Sequence, residues 1–311
     1  AQLVLWVLFV NLVCVALTRF VYRLSHVGIL IIHFGLLTYF VSAFVTLHVV
    51  EESHLTLMEG EVSNVSASYR DWELSVWRQD GDKKEVLAYD AKNFKSGKVL
   101  DFQPYGFDLI VKSFYPNAEA YRSAPKEFEG TVLNASGIRA LQPVDTNHKE
   151  PERNIAGGIF RLKSPQIKDM DILLFGAETT PALVQIGKEH YFFMLRHKRF
   201  PLPLSVKLDD FMMEVHPNTE TPRSFKSRVD IESSGLKREV TIFMNNPLRY
   251  KNFTFYQASY AVDAMGRERS TFAVVKNTGR LLPYIASLIT FVGLMVHFLM
   301  MAFSSRRRTN V

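Results

Sequence analysis

Three apolar runs, set asymmetrically around one long polar block, limit what this chain can become. Two lie at the start, Ala1–Thr18 and Val27–Val50, and the third near the end, Leu281–Phe303. A bilayer core of about 30 Å takes roughly 20 apolar residues in a helix. The second and third runs meet that length. The first is just long enough and begins without a methionine, so the chain is expected to be a fragment whose upstream part is missing. Residues 51–280 hold no apolar stretch long enough to span. The expected organisation is two transmembrane helices joined by a short cytoplasmic link over 1–50, an extracytoplasmic domain over 51–280, a third span over 281–303 and a basic tail over 304–311.

Charge gives the orientation. All 31 acidic residues fall between Glu51 and Glu268, and of the 37 lysines and arginines only Arg19, Arg23, Arg280 and Arg306–Arg308 lie outside Val50–Gly279. Short basic loops stay in the cytoplasm. The link carrying Arg19 and Arg23 and the tail carrying Arg306–Arg308 are therefore expected inside, with the large domain outside. The pI near 9.2 is then a topology signal, and no basic patch with interleaved aromatics remains to suggest a nucleic-acid partner.

The outer block reads as β-rich. Alternating runs recur at Trp72–Trp77, Phe107–Phe114, Ser205–Val215, Arg238–Met244 and Phe253–Tyr260. Turn clusters separate them, among them Gln79-Asp80-Gly81-Asp82, Ser233-Ser234-Gly235 and Asn245-Asn246-Pro247. Tyr256–Tyr260 is expected to form an inner strand with alternate residues buried. The polar stretch from Glu119 to Asn154 reads as a long loop. A Pro-Asn-x-Glu-x-x-Arg pattern begins at Pro116 and again at Pro217, as duplication of a sandwich half would produce. The one cysteine, Cys14, lies in the first apolar run, so the outer block must cohere without disulfides, which a domain of this size can do.

Standard catalytic signatures are missing: there is no phosphate loop, nucleophile elbow, His-Glu-x-x-His or Cys-x-x-Cys. The pairs Glu51-Glu52 and Asp209-Asp210 are strand neighbours that point to opposite faces, which suits surface charge better than an acid/base dyad. The histidines carry the remaining chemistry. His33 lies inside the second apolar run and His297 inside the third, each six residues from the inner end of its span. At 1.5 Å per residue both are expected about 9 Å above the cytoplasmic edge. An ionisable residue in a membrane span is a functional hypothesis by default, and imidazole is a common haem ligand. The alternative is a helix–helix contact, with Gly28 and Gly35 allowing close approach. His26 lies two turns below His33 on the same face, and His48 at the outer end. His54, His148, His190, His197 and His216 read as ordinary surface or loop histidines.

Several segments resemble a known family. Leu202-Pro203-Leu204-Ser205-Val206-Lys207-Leu208-Asp209-Asp210-Phe211, Pro222-Arg223-Ser224-Phe225-Lys226-Ser227 and Asn246-Pro247-Leu248-Arg249-Tyr250, followed by Phe255-Tyr256-Gln257-Ala258-Ser259-Tyr260, are similar to ResB, also called CcsB, of the system II cytochrome c maturation pathway. The resemblance covers the second span, the outer domain and the last span. It implies a membrane protein with transmembrane α-helices and a large extracytoplasmic β-rich, sandwich-like domain. It places the chain in a bacterial inner membrane with its large domain periplasmic, or in a thylakoid membrane if the source is a plastid.

In that family the CcsB part works with a CcsA part, as a separate chain or fused to it. The pair moves haem b outward and attaches it to the Cys-x-x-Cys-His motif of apocytochrome c. The resemblance implies that His33 is an axial ligand to haem iron, opposite a histidine of the CcsA part, with His297 as the internal alternative. No counterpart of the tryptophan-rich haem-handling segment of CcsA is present. The chain would be the non-catalytic half of a holocytochrome c synthase. Arg19, Arg23 or outer-end polar residues would meet the haem propionates, and an open strand edge would accept the apocytochrome as an added strand. The competing readings are a structural assembly factor without a haem site and a membrane-anchored binding module, for which residues 304–311 offer little output.

Overall fold

The computed structural model describes residues 2–19, 23–80, 83–123, 132–217, 222–263 and 265–309. They form two compact units. A helical unit gathers residues 1–52, 242–256 and 274–311, and a β unit gathers 53–241 and 257–273. Strands β1 (Glu51–Met58), β14 (Leu236–Phe243), β16 (Phe253–Val262) and β17 (Glu268–Lys276) pass from one to the other.

The helical unit is built on α2 (Val27–Val49) and α3 (Leu282–Thr309), both long and apolar enough to cross a membrane. Neither has an acidic residue in its first turn, and their outer faces present Phe34, Phe291 and Phe298, all about 60% exposed. Helix α1 (Gln2–Cys14) runs into a π turn at Val15–Arg19, where the Thr18 hydroxyl donates to the Cys14 carbonyl at 2.7 Å. That gives a shorter apolar helix than the full span expected of this run. Short strand β15 (Leu248–Tyr250) pairs with Phe253–Phe255 of β16.

The β unit holds the expected sandwich. Its larger sheet runs in the order β14, β13 (Pro222–Ser233), β12 (Glu189–Val215), β2 (Val62–Asp80), β1, β17, β16, with β3 (Lys83–Asp90) beside β2 and β11 (Ala182–Ile186) beside β12. The second sheet is β4 (Val99–Phe102), β5 (Phe107–Tyr115), β9 (Gly157–Ser164), β10 (Ile167–Phe175) and β7 (Val132–Leu133). Alternation drives the packing. Leu74 and Val76 of β2, Phe193 and Leu195 of β12, Phe107, Leu109 and Val111 of β5, and Phe160 and Leu162 of β9 share one apolar core. Residues at period two turn to one face of a strand, so each of these strands buries one side.

Two local features follow from the chain. Strand β12 is 27 residues long and its ladder to β2 skips from Pro201 to Val206, where two prolines lack the N–H a ladder needs. Above the gap β12 pairs with β11, and from Ser205 it pairs with β13. The β13–β14 turn has positive φ at Ser234 (53°) and Gly235 (80°), the pattern of a two-residue hairpin loop.

The expected long loop at 119–154 is partly strand. β6 (Ala118–Tyr121) pairs with β8 (Ala140–Pro143), and β7 pairs parallel with β10. These strands are too short to show alternation. The Tyr256–Tyr260 segment also departs from expectation. Adjacent Thr254 and Phe255 are buried while Tyr256 is 43% exposed. β15 pairs no further than Phe255, so beyond it one edge of β16 is open. Of the two Pro-Asn segments, Phe107–Val111 begins β5 and Phe211–Val215 ends β12, central strands of different sheets; Asn218–Glu220 lie outside the described residues. So do Gly81 and Asp82 of the expected turn.

Truncating Phe193, fully buried in the shared core, to alanine should destabilise the protein by about 3–5 kcal/mol. Leu183→Ala, on the outward face of the paired strand and 49% exposed, should stay within roughly 0.5 kcal/mol. Urea unfolding of both variants in detergent checks the contrast.

Candidate functional site

The site at His33 is set by how α2 meets α3. The buried residues of α2 are Gly28, Gly35 and Ser42, seven apart. Facing them are Gly279, Ala286 and Gly293, also seven apart and buried. A β-carbon added at Gly28 would lie 2.5 Å from the backbone nitrogen of His297, one at Gly293 2.7 Å from that of Ile32, and one at Gly35 2.8 Å from that of Thr290. The two backbones therefore touch. Small residues at the interface are what allow helices to associate where lipid supplies no hydrophobic drive. The tyrosine hydroxyl of Tyr39 bonds Ser287, whose own proton goes to the Pro283 carbonyl at 2.9 Å.

These contacts locate both membrane histidines. His297 is level with Gly28 and lies on the seam itself, its backbone against that glycine. His33 follows Ile32, which is level with Gly293. Five residues, or about 7.5 Å of rise, separate the levels of the two histidines, so they do not share the depth expected from counting inward. At 100° per residue His33 also points about 140° round α2 from the seam. The structure does not bring His33 and His297 together.

The stripe that carries His33 holds His26 below it and Phe40 and Phe44 above it. Trp6 of α1 stacks on Phe44 with ring centroids 4.1 Å apart, and Phe9 meets Phe40 and Phe44 at 6.0 and 5.7 Å. The α1 side of α2 is thus the side to which His33 points. Nδ1 of His33 lies 2.8 Å from the Ile29 carbonyl. A carbonyl only accepts, so Nδ1 carries the proton and the ring's lone pair sits on Nε2. That tautomer suits iron ligation, and a fixed second nitrogen orients a ligating imidazole. A haem iron fits this donor on chemistry, with one ligand from the chain.

The family-like segments of the β unit are structural joints. Ser227 donates to Gln257 Oε1 at 2.7 Å, Gln257 Nε2 donates to Ser270 at 2.9 Å, and the two fully buried serines lie 2.9 Å apart. Tyr260 packs on Phe211 and Phe225 with centroids 5.4 and 4.9 Å apart. Strand β13 thereby meets β16 and β17 through side chains. Both ends of the Gln257 amide are thereby partnered.

Sequence reasoning missed one cluster. His54 and His197, taken as ordinary surface histidines, are half-buried and face each other with ring centroids 6.3 Å apart. His197 is the cross-strand partner of Trp72 and stacks on it at 4.1 Å, while His54 leans on Tyr69 at 4.8 Å. Their Nδ1 atoms and the Trp72 indole nitrogen are buried without a hydrogen-bond partner among the described residues. Burial lowers the pKa of His54, and the neighbouring His197 lowers it further. Burial also lowers that of His197, against the pull of Asp71. The signal was the register that sets His197 opposite Trp72, which a single strand does not display.

The imidazole pair gives a pH dependence. Both folded-state values lie below the ordinary 6.5, so the unfolded chain binds protons first as pH falls. Their contribution is intact above about pH 6.5 and is lost below it. Unfolding midpoints of the full chain in detergent should fall between pH 7.5 and 5.5, and the His54→Gln, His197→Gln double variant should flatten that slope.

Comparison with known proteins agrees with the signature segments. Residues 182–269 match the ResB-like family. A stretch of 104 residues, 33% of this chain, is 31% identical to Protein NrfI of Wolinella succinogenes and spans 11% of that protein. A stretch of 64 residues, 20% of the chain, is 33% identical to Cytochrome c biogenesis protein CcsB of Prochlorococcus marinus and spans 15% of it. The resemblance to the ResB/CcsB family is therefore real over β11 to the start of β17, and the matched stretches span about a tenth to a seventh of these relatives.

Proposed function

We propose that this chain is the CcsB-like part of a membrane machine for cytochrome c biogenesis. It holds haem at His33 as haem moves to the outer face, and it supports attachment of that haem to apocytochrome c. A ResB-like segment and a relative described as a cytochrome c biogenesis protein support the general role. The observation that carries the specific role is His33: one imidazole within an apolar helix, its Nδ1 held by the Ile29 carbonyl, turned away from the α2–α3 seam. Bound haem would take Nε2 of His33 on one side of its iron. The opposite ligand would come from the CcsA part, since His297 lies at another level and on the other side of α2. Strand β14, at one end of the larger sheet with Leu236 78% exposed, offers an edge that an extended apocytochrome segment could extend.

The test is alanine replacement in the assembled complex with haem quantification and the reduced absorption spectrum. His33→Ala should remove most of the membrane haem, and His297→Ala should retain it. Full haem with an unchanged spectrum in His33→Ala would leave His33 a packing residue and the chain an assembly factor.

Orientation is part of the same reading: the β unit faces the periplasm or its equivalent, and Arg19, Arg23 and Arg306–Arg308 face the cytoplasm. In a Cys14→Ser background, an impermeant maleimide added outside should label a cysteine at exposed Ser136 and miss one at Ser305. The reverse pattern overturns the topology.

A further inference from the structure

Within the helical unit, the β15–β16 hairpin, the end of β17 and the approach to α3 line a half-open cavity of roughly 390 Å³. Its polar lining is Arg249, Thr254, Tyr256, Asn277, Arg280 and Tyr284. Neither guanidinium has a hydrogen bond or ion pair among the described residues. Elsewhere Arg161, Arg196 and Arg267 are each held by a carboxylate at 2.8, 2.8 and 2.7 Å. The carboxylate of Glu51, in the same unit, is already held by Lys276 at 3.0 Å. Thr254 is 8% exposed, and its hydroxyl has no hydrogen-bond partner among the described residues. Asn277 Oδ1 accepts from the Gly279 N–H at 2.9 Å, which leaves its amide protons for the cavity. The lining presents two fixed positive charges, hydroxyls and an amide, and no carboxylate. That set suits a tetrahedral oxyanion, because a guanidinium offers paired donors to phosphate oxygens.

The surroundings narrow the source of the anion. The cavity lies at the start of α3, and below it Leu281, Tyr284, Leu288, Phe291 and Met295 are 60, 70, 64, 58 and 49% exposed. Their spacing of three and four puts them on one face of the helix. An occupant with its anionic group in the cavity would find an apolar track about 20 Å long running down from it. Tyr256 and Tyr284 are the amphipathic rings found where hydrocarbon gives way to headgroups.

We propose that this cavity binds the phosphate group of a membrane phospholipid whose acyl chains lie along that face of α3. The inference rests on α3 crossing a bilayer and not on any haem role for His33.

Native mass spectrometry of the full chain, released from nanodiscs containing dioleoyl phosphatidylglycerol, tests it. The wild type should retain phosphatidylglycerol. The Arg249→Gln, Arg280→Gln variant should retain at least about tenfold less, since each charge-assisted contact contributes an order of magnitude or more. Thr254→Val keeps both charges and should weaken retention several-fold. A control pair in the β unit, Arg238→Gln with Arg269→Gln, should leave it unchanged. Undiminished lipid in the Arg249/Arg280 variant overturns the proposal. So does displacement of the lipid by inorganic phosphate at millimolar concentration, which would make this a free-anion site. Loss of haem with lipid retained would assign the cavity to haem carboxylates instead and equally overturns it. Lipid retention that depends on these residues upholds this inference whatever the assembled complex shows of haem at His33.

Discussion

The close contact of α2 with α3 fixes what surrounds it. Without a hydrophobic force between helices in lipid, the pair is held by van der Waals contact at small residues and by a few polar links. Gly28, Gly35 and Ser42 against Gly279, Ala286 and Gly293 supply the contact, and Tyr39 with Ser287 supplies a link. The seven-residue spacing on α2 is matched by Ala286 and Gly293 of α3 and by Gly279 in the turn before it, which keeps the facing residues in register. Rotation of α2 about its axis is thereby set, and with it the direction of every other side chain on that helix. At the C-terminal end of α2 and the start of α3 the chain segments also meet: Glu51 pairs with Lys276 at 3.0 Å, and the Asn277 N–H donates to the Asn252 carbonyl at 2.8 Å.

Much of this was legible in the sequence because it depends on local pattern. The apolar lengths of α2 and α3 and the alternation in β2, β5 and β12 are properties of one segment at a time. The hairpin turn at Ser234-Gly235 needs only residues that tolerate positive φ. The small-residue heptads were equally open to reading, although only Gly28 and Gly35 stood out beside the histidine. What stayed hidden depends on pairing between distant segments. Counting inward from each end gave His33 and His297 equal depth, and only the level of Gly28 with His297 corrects it. The short strands β6, β7 and β8 exist because β8 and β10 offer partners, not because their own residues alternate.

Burial of polar groups in the β unit mostly follows one rule, with Arg78 Nε, Glu178 Oε1 and one cluster of rings outside it among the described residues. Glu73, 6% exposed, is met by Arg196 at 2.8 Å, and Ser227 and Ser270 are satisfied by Gln257. Unsatisfied polar atoms in a core cost about 1–3 kcal/mol each, so such pairing is expected. The cluster at Trp72, His54 and His197 breaks the rule by leaving three ring nitrogens unpartnered. Stacking of His197 on Trp72 explains why the imidazole is there. Burial, not the stacking, is why the neutral form is preferred, since a proton would place charge where water is excluded.

The number of imidazoles on the His33 face bears on how many chains a haem site needs. His26 is seven residues before His33 and lies outside α2, at the end of the 3-10 turn Leu24–His26. The backbone of His297 lies against Gly28, on the opposite side of α2. His48 is fifteen residues above, at the end of the helix. On the reading proposed above, a haem at His33 would draw one donor from α2 and would need its second from outside α2 and α3; α1, whose Trp6 and Phe9 pack on Phe44 and Phe40, already lines that side of α2.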